Sequence, residues 1–468
     1  MVDMVTSDTL HRGAKYFMDS GRAANQREAI GLLYQFGLYI AAGPELSYSR
    51  DHQIALLTLV NVARRTFLGG VHVGGYTEGP SLTPLVAANS LKSAIEEMGG
   101  TVTFENRMQW PAAVIGTCPS VTYGAPQWQV TWDGWRGGVV SQMYLGQRLR
   151  EGPNSSLAAA LAAAICASEA FTFHAGDHPM AGRRNAGLSL WNPKADWLLS
   201  DDSEPEITFL PSHLWIIGLG NLGQAYLWML ASLPYLTPEE LHLVLQDDDR
   251  IAQSNDSTSI LTQPTMIGRL KSRALAGWLE ARQFQTVLTE RRFGSLTRRA
   301  QQEPSVALCG VDNGEARSHL ETAGFGLVVE AGLGSGVQAF RNFSLHTFPS
   351  SINAARMWSP STEVPENETL TVPAYGPENY PHLDQCGLAQ LASRTVGVPF
   401  VGLTAAALVV GEILRRLHSG TALELVAGSL ASLEDIEISP IEAGLYEYGF
   451  TMAKACRRET TLPVNATR

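Results

Sequence analysis

Residues 213–223 read HLWIIGLGNLG, followed from Gln224 to Ser232 by a helix-like segment. An apolar run this short, dense in Ile, Leu and Trp, suits a buried parallel strand better than a helix. The three glycines then have separate tasks. Gly218 permits a tight turn, Gly220 lets backbone N–H groups approach a phosphate, and Gly223 allows the helix to pack against the strand. The helix N-terminus adds partial positive charge, so the unit is an anion seat. Glycine triplets also occur in ordinary turns, and this one alone does not separate a dinucleotide from ATP.

Composition narrows the setting. The chain has 468 residues, 45% hydrophobic and only 17% charged. That balance implies extensive internal interfaces between sub-domains. A net charge of -11 disfavours a nucleic-acid or anionic-membrane surface. The N-terminal stretch MVDMVTSDTLHRGAKY lacks the apolar centre of a secretory signal, so a cytoplasmic protein is expected. The alanine-rich stretches 157–170 and 398–417 contain Glu169 and Glu412 and are expected to be buried helices, not membrane spans. Five scattered cysteines argue against a disulfide framework, and the lack of a CxxC pair excludes a zinc site built from paired CxxC knuckles.

Before the glycine turn, the pattern predicts helix over residues 10–37, a strand at 36–42, helix at 52–67 and a strand at 70–73. It continues with helix at 82–98 and strands at 101–105 and 112–116. Strands alternating with helices at this spacing imply a doubly wound parallel sheet. The turn after its first strand, AGPELSYSRD, lacks a glycine triplet. This half therefore reads as a nucleotide-binding fold without a working phosphate loop. Both halves close in a small-residue helix with a late Glu and a terminal glycine, the pattern of a degenerate internal duplication. The expected α/β architecture is two Rossmann-like doubly wound halves forming a pseudo-dimer. The inactive half is placed at 1–205 and the active half at 206–468, with the polar linker 200–206 between them.

After the glycine turn, residues 241–246 read as a second apolar strand ending at Asp247, where an acid can accept hydrogen bonds from a ribose. An NAD-binding fold places an acid there too. Asp248 reads as part of a solvated turn. Beyond it come Asn255 on a loop, Lys271 on a helix, and a third strand, 305–311, ending at Asp312 and Asn313. A cation and a carboxylate around a phosphate loop suit a triphosphate and its magnesium. Singly, each of these is an ordinary surface lysine or helix cap. Their joint order carries the reading.

That order resembles the ThiF/MoeB/ubiquitin-activating-enzyme superfamily over residues 206–420. The matching features are Gly218, Gly220 and Gly223; Asp247 and Asp249; Ser254-Asn255; Lys271; and Asp312-Asn313 with Arg317. The family pattern has an arginine three residues after the asparagine, where this chain has Thr258; Arg269, Arg273 or an arginine of the first half is expected to substitute. The resemblance implies ATP-dependent adenylation of the C-terminal carboxylate of a ubiquitin-like or sulfur-carrier protein, with Asp312 holding Mg²⁺ and Lys271 easing charge onto pyrophosphate. It also implies an inactive half paired with an active one. An N-terminal arginine of the partner half then reaches the phosphates, and Arg12, Arg22 and Arg27 are the candidates.

Residues 359–385, rich in Pro, Glu, Thr and Tyr, lack any period and are expected to form a long loop. By resemblance this is the crossover loop under which the carrier's tail threads. Cys386, just past it at the start of a helix predicted over 388–394, is the expected thioester-forming thiol. Cys456, beside Lys454, Arg457 and Arg458, is the rival, in an expected tail. Cys309 reads as a strand residue, Cys166 as a helix residue and Cys118 as a strand end. After Gly420 too few residues follow for a separate ubiquitin-fold domain that recruits a conjugating enzyme. The compact layout resembles the activating components of bacterial ubiquitin-like conjugation operons, some of which act against phages. Two enzyme alternatives stay open on sequence: adenylation of a sulfur carrier or peptide without a thioester, and NAD-dependent oxidoreduction. A non-catalytic scaffold is a third.

Overall fold

The structure, a computed structural model, describes residues 5–103, 105, 109–118, 125–359, 372–441 and 449–456. Helices α1 (Lys15–Asp19) and α2 (Gln26–Leu33) lead into β1 (Gly37–Ala42), followed by α3 (Arg50–Thr66), β2 (Gly70–Gly75), α4 (Leu91–Glu97) and β3 (Thr101–Val102). The first half continues with β4 (Ala112–Ile115), β5 (Gln127–Asp133), β6 (Arg136–Ser141), α5 (Ser156–Ala175) and β7 (Ala186–Ser189). Its sheet runs β3-β2-β1-β4-β5-β6-β7; the first five strands are parallel, and β6 and β7 are antiparallel.

The second half begins with β8 (Phe209–Pro211), β9 (His213–Ile217), α6 (Asn221–Ser232), β10 (His242–Gln246), α7 (Lys271–Glu280), β11 (Gln285–Thr289) and β12 (Val306–Cys309). Next come α8 (Gly314–Ser318), β13 (Leu327–Leu333), α9 (Gly336–Ala339), β14 (Asn342–Phe348), α10 (Ala354–Met357) and α11 (Gln385–Ser393). Last are α12 (Pro399–Leu417), β15 (Leu423–Ser429), β16 (Ser432–Pro440) and β17 (Met452–Lys454). The second sheet runs β11-β10-β9-β12-β13-β14-β15-β16, again with five parallel strands and then antiparallel ones. In both sheets the sixth strand is followed by a long small-residue helix and an antiparallel seventh strand. The shared strand order and connectivity show two Rossmann-like halves.

The long helices make the junction. α3 packs on α5, α6 on α12, and α5 on α12. Alanine along α5 and α12 lets the backbones approach, and one continuous apolar core runs through both halves. Among the described residues α5 is the helix long and apolar enough to cross a membrane, and here it lies buried in that core. Directional ties cross the junction. The Trp228 indole N–H donates to Thr58 Oγ1 at 3.0 Å, and Arg65 donates to the carbonyls of Ile260 and Thr262. The two late glutamates have matching tasks. Glu169 pairs with Arg184 at 2.7 Å, which in turn donates to the Leu430 carbonyl; Glu412 pairs with Arg416 and accepts the Leu423 N–H.

Several boundaries differ from the sequence reading. The helix expected over 10–37 breaks into α1 and α2 at Gly21, whose φ of +70° ends a right-handed turn. Only 91–97 of the expected helix 82–98 is helical, capped by the Ser90 hydroxyl. The all-parallel expectation is also corrected, because β5 and β6 form an antiparallel hairpin that turns at Gly134, φ +58°. Residues after Gly420 extend the second sheet as the β15–β16 hairpin.

Candidate functional site

The carboxyl ends of β9, β10 and β12 converge on the glycine turn. Gly218, φ +81°, leaves β9 with its N–H bonded to the Gln246 carbonyl at 2.9 Å. A side chain on Gly223 would put Cβ 1.9 Å from the Gly218 carbonyl oxygen, so the third glycine is a packing requirement. Gly220 differs: a Cβ there would meet no heavy atom within 4 Å. It is the N-cap of the 12-residue α6, and the space in front of it suits an anion at a helix N-terminus.

Asp247, at the end of β10, reaches back to the turn and accepts the Leu219 N–H through Oδ2 at 2.7 Å. Burial pushes its carboxyl above the usual aspartate range, with Lys271 and the N–H groups of Leu219 and Asp249 pulling the other way. Lys271 opens α7 and is buried; its Nζ lies 2.8 Å from Asp249 Oδ2 and 3.8 Å from Asp247 Oδ2. Its own N–H donates to the Asp249 carbonyl at 2.9 Å, locking helix start to acidic turn. The carboxylates of Asp247, Asp248 and Asp249 cluster, but the ammonium pairs with two of the three.

The remaining sequence candidates divide. Asp312 is exposed just beyond β12. Asn313 is a helix cap, its Oδ1 accepting the N–H groups of Glu315 and Ala316. Asn255 Oδ1 accepts the Ala252 N–H at 2.9 Å and so shapes its own loop. Arg317 is buried, donating to the carbonyls of Val311 and Ala331 beside Glu330 at 3.3 Å.

The arginines also sort themselves. Arg273 is held by Glu290 at 2.6 and 2.8 Å, Arg22 donates to the Ala175 carbonyl at the end of α5, and Arg27 and Arg269 are exposed. Arg12 lies within electrostatic reach of Asp312 and is tied to the loop that carries Thr258. Its Nε and Nη2 donate to the Thr395 carbonyl and hydroxyl at 2.6 and 2.7 Å, and its backbone N–H donates to Ser257 Oγ. Gly397 wedges between Thr258 and Arg12: a Cβ there would lie 2.9 and 3.3 Å from them. Burial pulls the Arg12 guanidinium down to about 10, as does Arg394; the charges of Asp312 and Asp19 oppose the fall.

Cys386 is exposed in the first turn of α11, where Asp384 caps the helix by accepting the Gly387 N–H at 2.8 Å. Gln390 Nε2 approaches its sulfur at 3.8 Å. Burial pushes the Cys309 thiol up to about 12, that of Cys118 to about 11 and that of Cys166 higher still. The tail reading of Cys456 is corrected: β17 pairs with β8, and the Cys456 N–H donates to the Pro234 carbonyl at 2.7 Å. Of the expected crossover loop 359–385, residues 360–371 lie outside the described residues, while Pro373–Tyr375 forms a 3₁₀ turn.

A family model described as the BilD N-terminal domain matches residues 37–190, and one described as the BilD C-terminal domain matches residues 210–420. The "Bacterial E1-like protein BilD" of Collimonas sp. (strain OK412) is 56% identical over 445 residues, 95% of this chain and 96% of that protein. The chain belongs to the BilD family. Among solved structures it is similar to E. coli MccB with MccA-N7isoASN, at 10% identity and TM-score 0.34, covering 51% of this chain and 66% of that one. E. coli MccB with ATP gives 12% identity and TM-score 0.32, covering 51% and 65%. These likenesses are too distant to bear on the chemistry.

The BilD N-terminal match spans the first sheet, and its counterpart of the glycine turn is built differently. Gly43, Pro44 and Glu45 follow β1 as Gly218, Leu219 and Gly220 follow β9. Glu45 Oε2 accepts the Thr117 N–H at 2.8 Å, and a Cβ on Gly43 or Gly116 would lie within 2.5 Å of that oxygen. Burial would raise this carboxyl, but the hydrogen bonds from Thr117 outweigh it and hold it below the usual glutamate range. The first half thus fills its turn with its own carboxylate. Sequence reasoning saw the missing glycines but not this replacement, although Glu45 stands at the register position of Gly220. It also left Arg12 unchosen, because that contact joins residues nearly four hundred positions apart.

Proposed function

We propose that this protein adenylates the C-terminal carboxylate of a ubiquitin-like protein with ATP and then takes the acyl group onto Cys386 as a thioester, for transfer to a conjugating enzyme. The observation that carries the reading is the joint placement of an open Gly220 at the α6 N-terminus, Asp247 bonded to that turn, and Lys271 paired behind it. The name of the Collimonas relative, an E1-like protein, agrees with it.

In this reading the turn 218–223 seats the ATP phosphates, and Asp247, whose two oxygens already accept the Leu219 and Asp249 N–H groups, accepts a ribose hydroxyl as a further donor. The exposed Asp312 carboxylate fits one ligand of a phosphate-bound magnesium, the usual way that ion is held. Magnesium, when bound, neutralises charge on the departing pyrophosphate. A carboxylate oxygen of the carrier attacks the α-phosphorus, the bond to the bridging oxygen breaks, and pyrophosphate leaves with the electron pair. The nucleophile is already ionised at neutral pH, so no general base is needed. Lys271 and Arg12 screen the repulsion between the two anions. Cys386 then gives its proton to solvent, its sulfur attacks the acyl carbon, and AMP leaves.

The test is Cys386→Ala with ATP·Mg²⁺ and a ubiquitin-like protein ending in glycine. Loss of a thiol-reducible adduct with retained pyrophosphate exchange is the expected result. An unchanged adduct, or product formed without any adduct in the unaltered chain, overturns the thioester step and leaves adenylation alone. A chain that binds NADH and ignores ATP overturns the whole reading.

A further inference from the structure

The N-terminal segment carries a buried charge that the reaction above does not use. Lys15, in α1, is 1% exposed, and its Nζ donates to Asp19 Oδ1 at 2.7 Å and to the Tyr375 hydroxyl in a very short contact. An ammonium has only donors, so Tyr375 accepts from Lys15 and donates its own proton to Asp19 Oδ1. Burial pushes Tyr375 up, away from ionisation, and Asp19 adds to this; the hydroxyl therefore keeps the proton that closes the network. A buried ammonium is tolerated only where its donors find good acceptors, and removing one partner leaves the others stranded. This closed network joins the first half to the segment that follows residue 371.

Its neighbour in the chain is Arg12. The stretch from Arg12 to Lys15 is held at both ends: at one by Ser257, Thr395 and Gly397, whose N–H donates to the Arg12 carbonyl at 3.3 Å, and at the other by Tyr375. With Nε and Nη2 committed to Thr395, Nη1 has no hydrogen-bond partner among the described residues, and the guanidinium lies within the field of Asp312. A side chain clamped this way has lost its rotamer freedom before any ligand arrives, which is what a donor aimed at a phosphate requires.

We infer that Lys15 and Tyr375 are positioning residues: their network with Asp19 fixes the start of α1 against the 372–398 segment and so holds Arg12 over the phosphate seat. The inference rests on the adenylation reading, in which Arg12 screens the phosphates.

The test uses the full chain, with ATP·Mg²⁺ and AMP as probes and calorimetry as the readout. Tyr375→Phe removes only the hydroxyl. The expected result is about tenfold weaker ATP·Mg²⁺ binding, the scale of one charge-assisted hydrogen bond. AMP, which lacks the β and γ phosphates, should be affected about twofold or less, and in an Arg12→Ala background Tyr375→Phe should change ATP·Mg²⁺ binding about twofold or less. Equal weakening in both backgrounds, equal weakening of ATP and AMP, or no weakening overturns the inference while leaving adenylation standing. Lys15→Met, read the same way, decides the matter if Tyr375→Phe does not fold. Failure of the unaltered chain to bind ATP·Mg²⁺ overturns the adenylation reading and this inference with it.

Discussion

Gly220→Glu places in the second half what the first half already has at Glu45. A side chain fits: Cβ meets nothing within 4 Å, and the backbone φ of -77° is open to any L residue. A carboxylate at the N-cap of α6 also suits the helix dipole, worth about 0.3–1 kcal/mol, so the melting temperature should hold or rise slightly. Nucleotide binding should not hold. One unit charge 4 Å from another costs about 4 kcal/mol at an effective dielectric of about 20. Gly220 is partly exposed, so solvent screening brings the expected penalty to about 2–4 kcal/mol, about 30-fold to 700-fold in Kd. Calorimetry with ATP·Mg²⁺ measures this directly, and Gly220→Gln separates charge from bulk. The penalty of the glutamate should shrink as salt is raised, whereas that of the glutamine should not. Binding by Gly220→Glu within about twofold of the unaltered chain would refute the assignment of the turn as an anion seat.

Gly223→Ala should act in the opposite sense, on the fold: its Cβ would collide with the Gly218 carbonyl, and a loss of about 2 kcal/mol or more in urea unfolding is expected, an unchanged midpoint contradicting the packing account. Lys271→Met removes the cation behind the seat and should slow pyrophosphate release about 100-fold or more, on the scale of losing one preorganised electrostatic donor; an effect under about threefold would count against its role. For pH, Asp256 is held below the ordinary aspartate value of 3.8: burial alone would raise it, but Arg64 and Arg65 outweigh that across the junction of the halves. A lowered folded-state pKa gives stability that is full above the unfolded value and lost as pH falls through the folded one. Asp256→Asn should therefore flatten the acid limb of a Tm-versus-pH curve below that value, and an unchanged limb would contradict the assignment.

The parts legible in the sequence were those governed by local pattern. The apolar run 213–217, the spacing of Gly218, Gly220 and Gly223, and the strand ending at Asp247 all follow from neighbours in the chain, and the structure places them as read. Small-residue helices with a late glutamate pointed to two related halves, because close helix packing selects composition over a long stretch. The antiparallel strands flanking each parallel sheet went unread. β5 and β6 are buried on both faces, so they show no alternation, and only the Gly134 turn marks their reversal. Tertiary contacts were the other omission. Nothing local tells that Arg12 meets Thr395, that Tyr375 meets Lys15, or that Glu45 folds back onto the Thr117 N–H. Asn255 and Asn313 were legible as residues of the site region, yet their side chains shape backbone turns there.

The most direct measurement of the central claim follows pyrophosphate release from ATP·Mg²⁺ when the full chain is mixed with a small protein whose tail ends in glycine, alongside the same protein with its C-terminus amidated. The account predicts release with the free carboxylate, none with the amide, and none with Gly220→Glu. Release indifferent to amidation, or survival of the activity in Gly220→Glu, would contradict it.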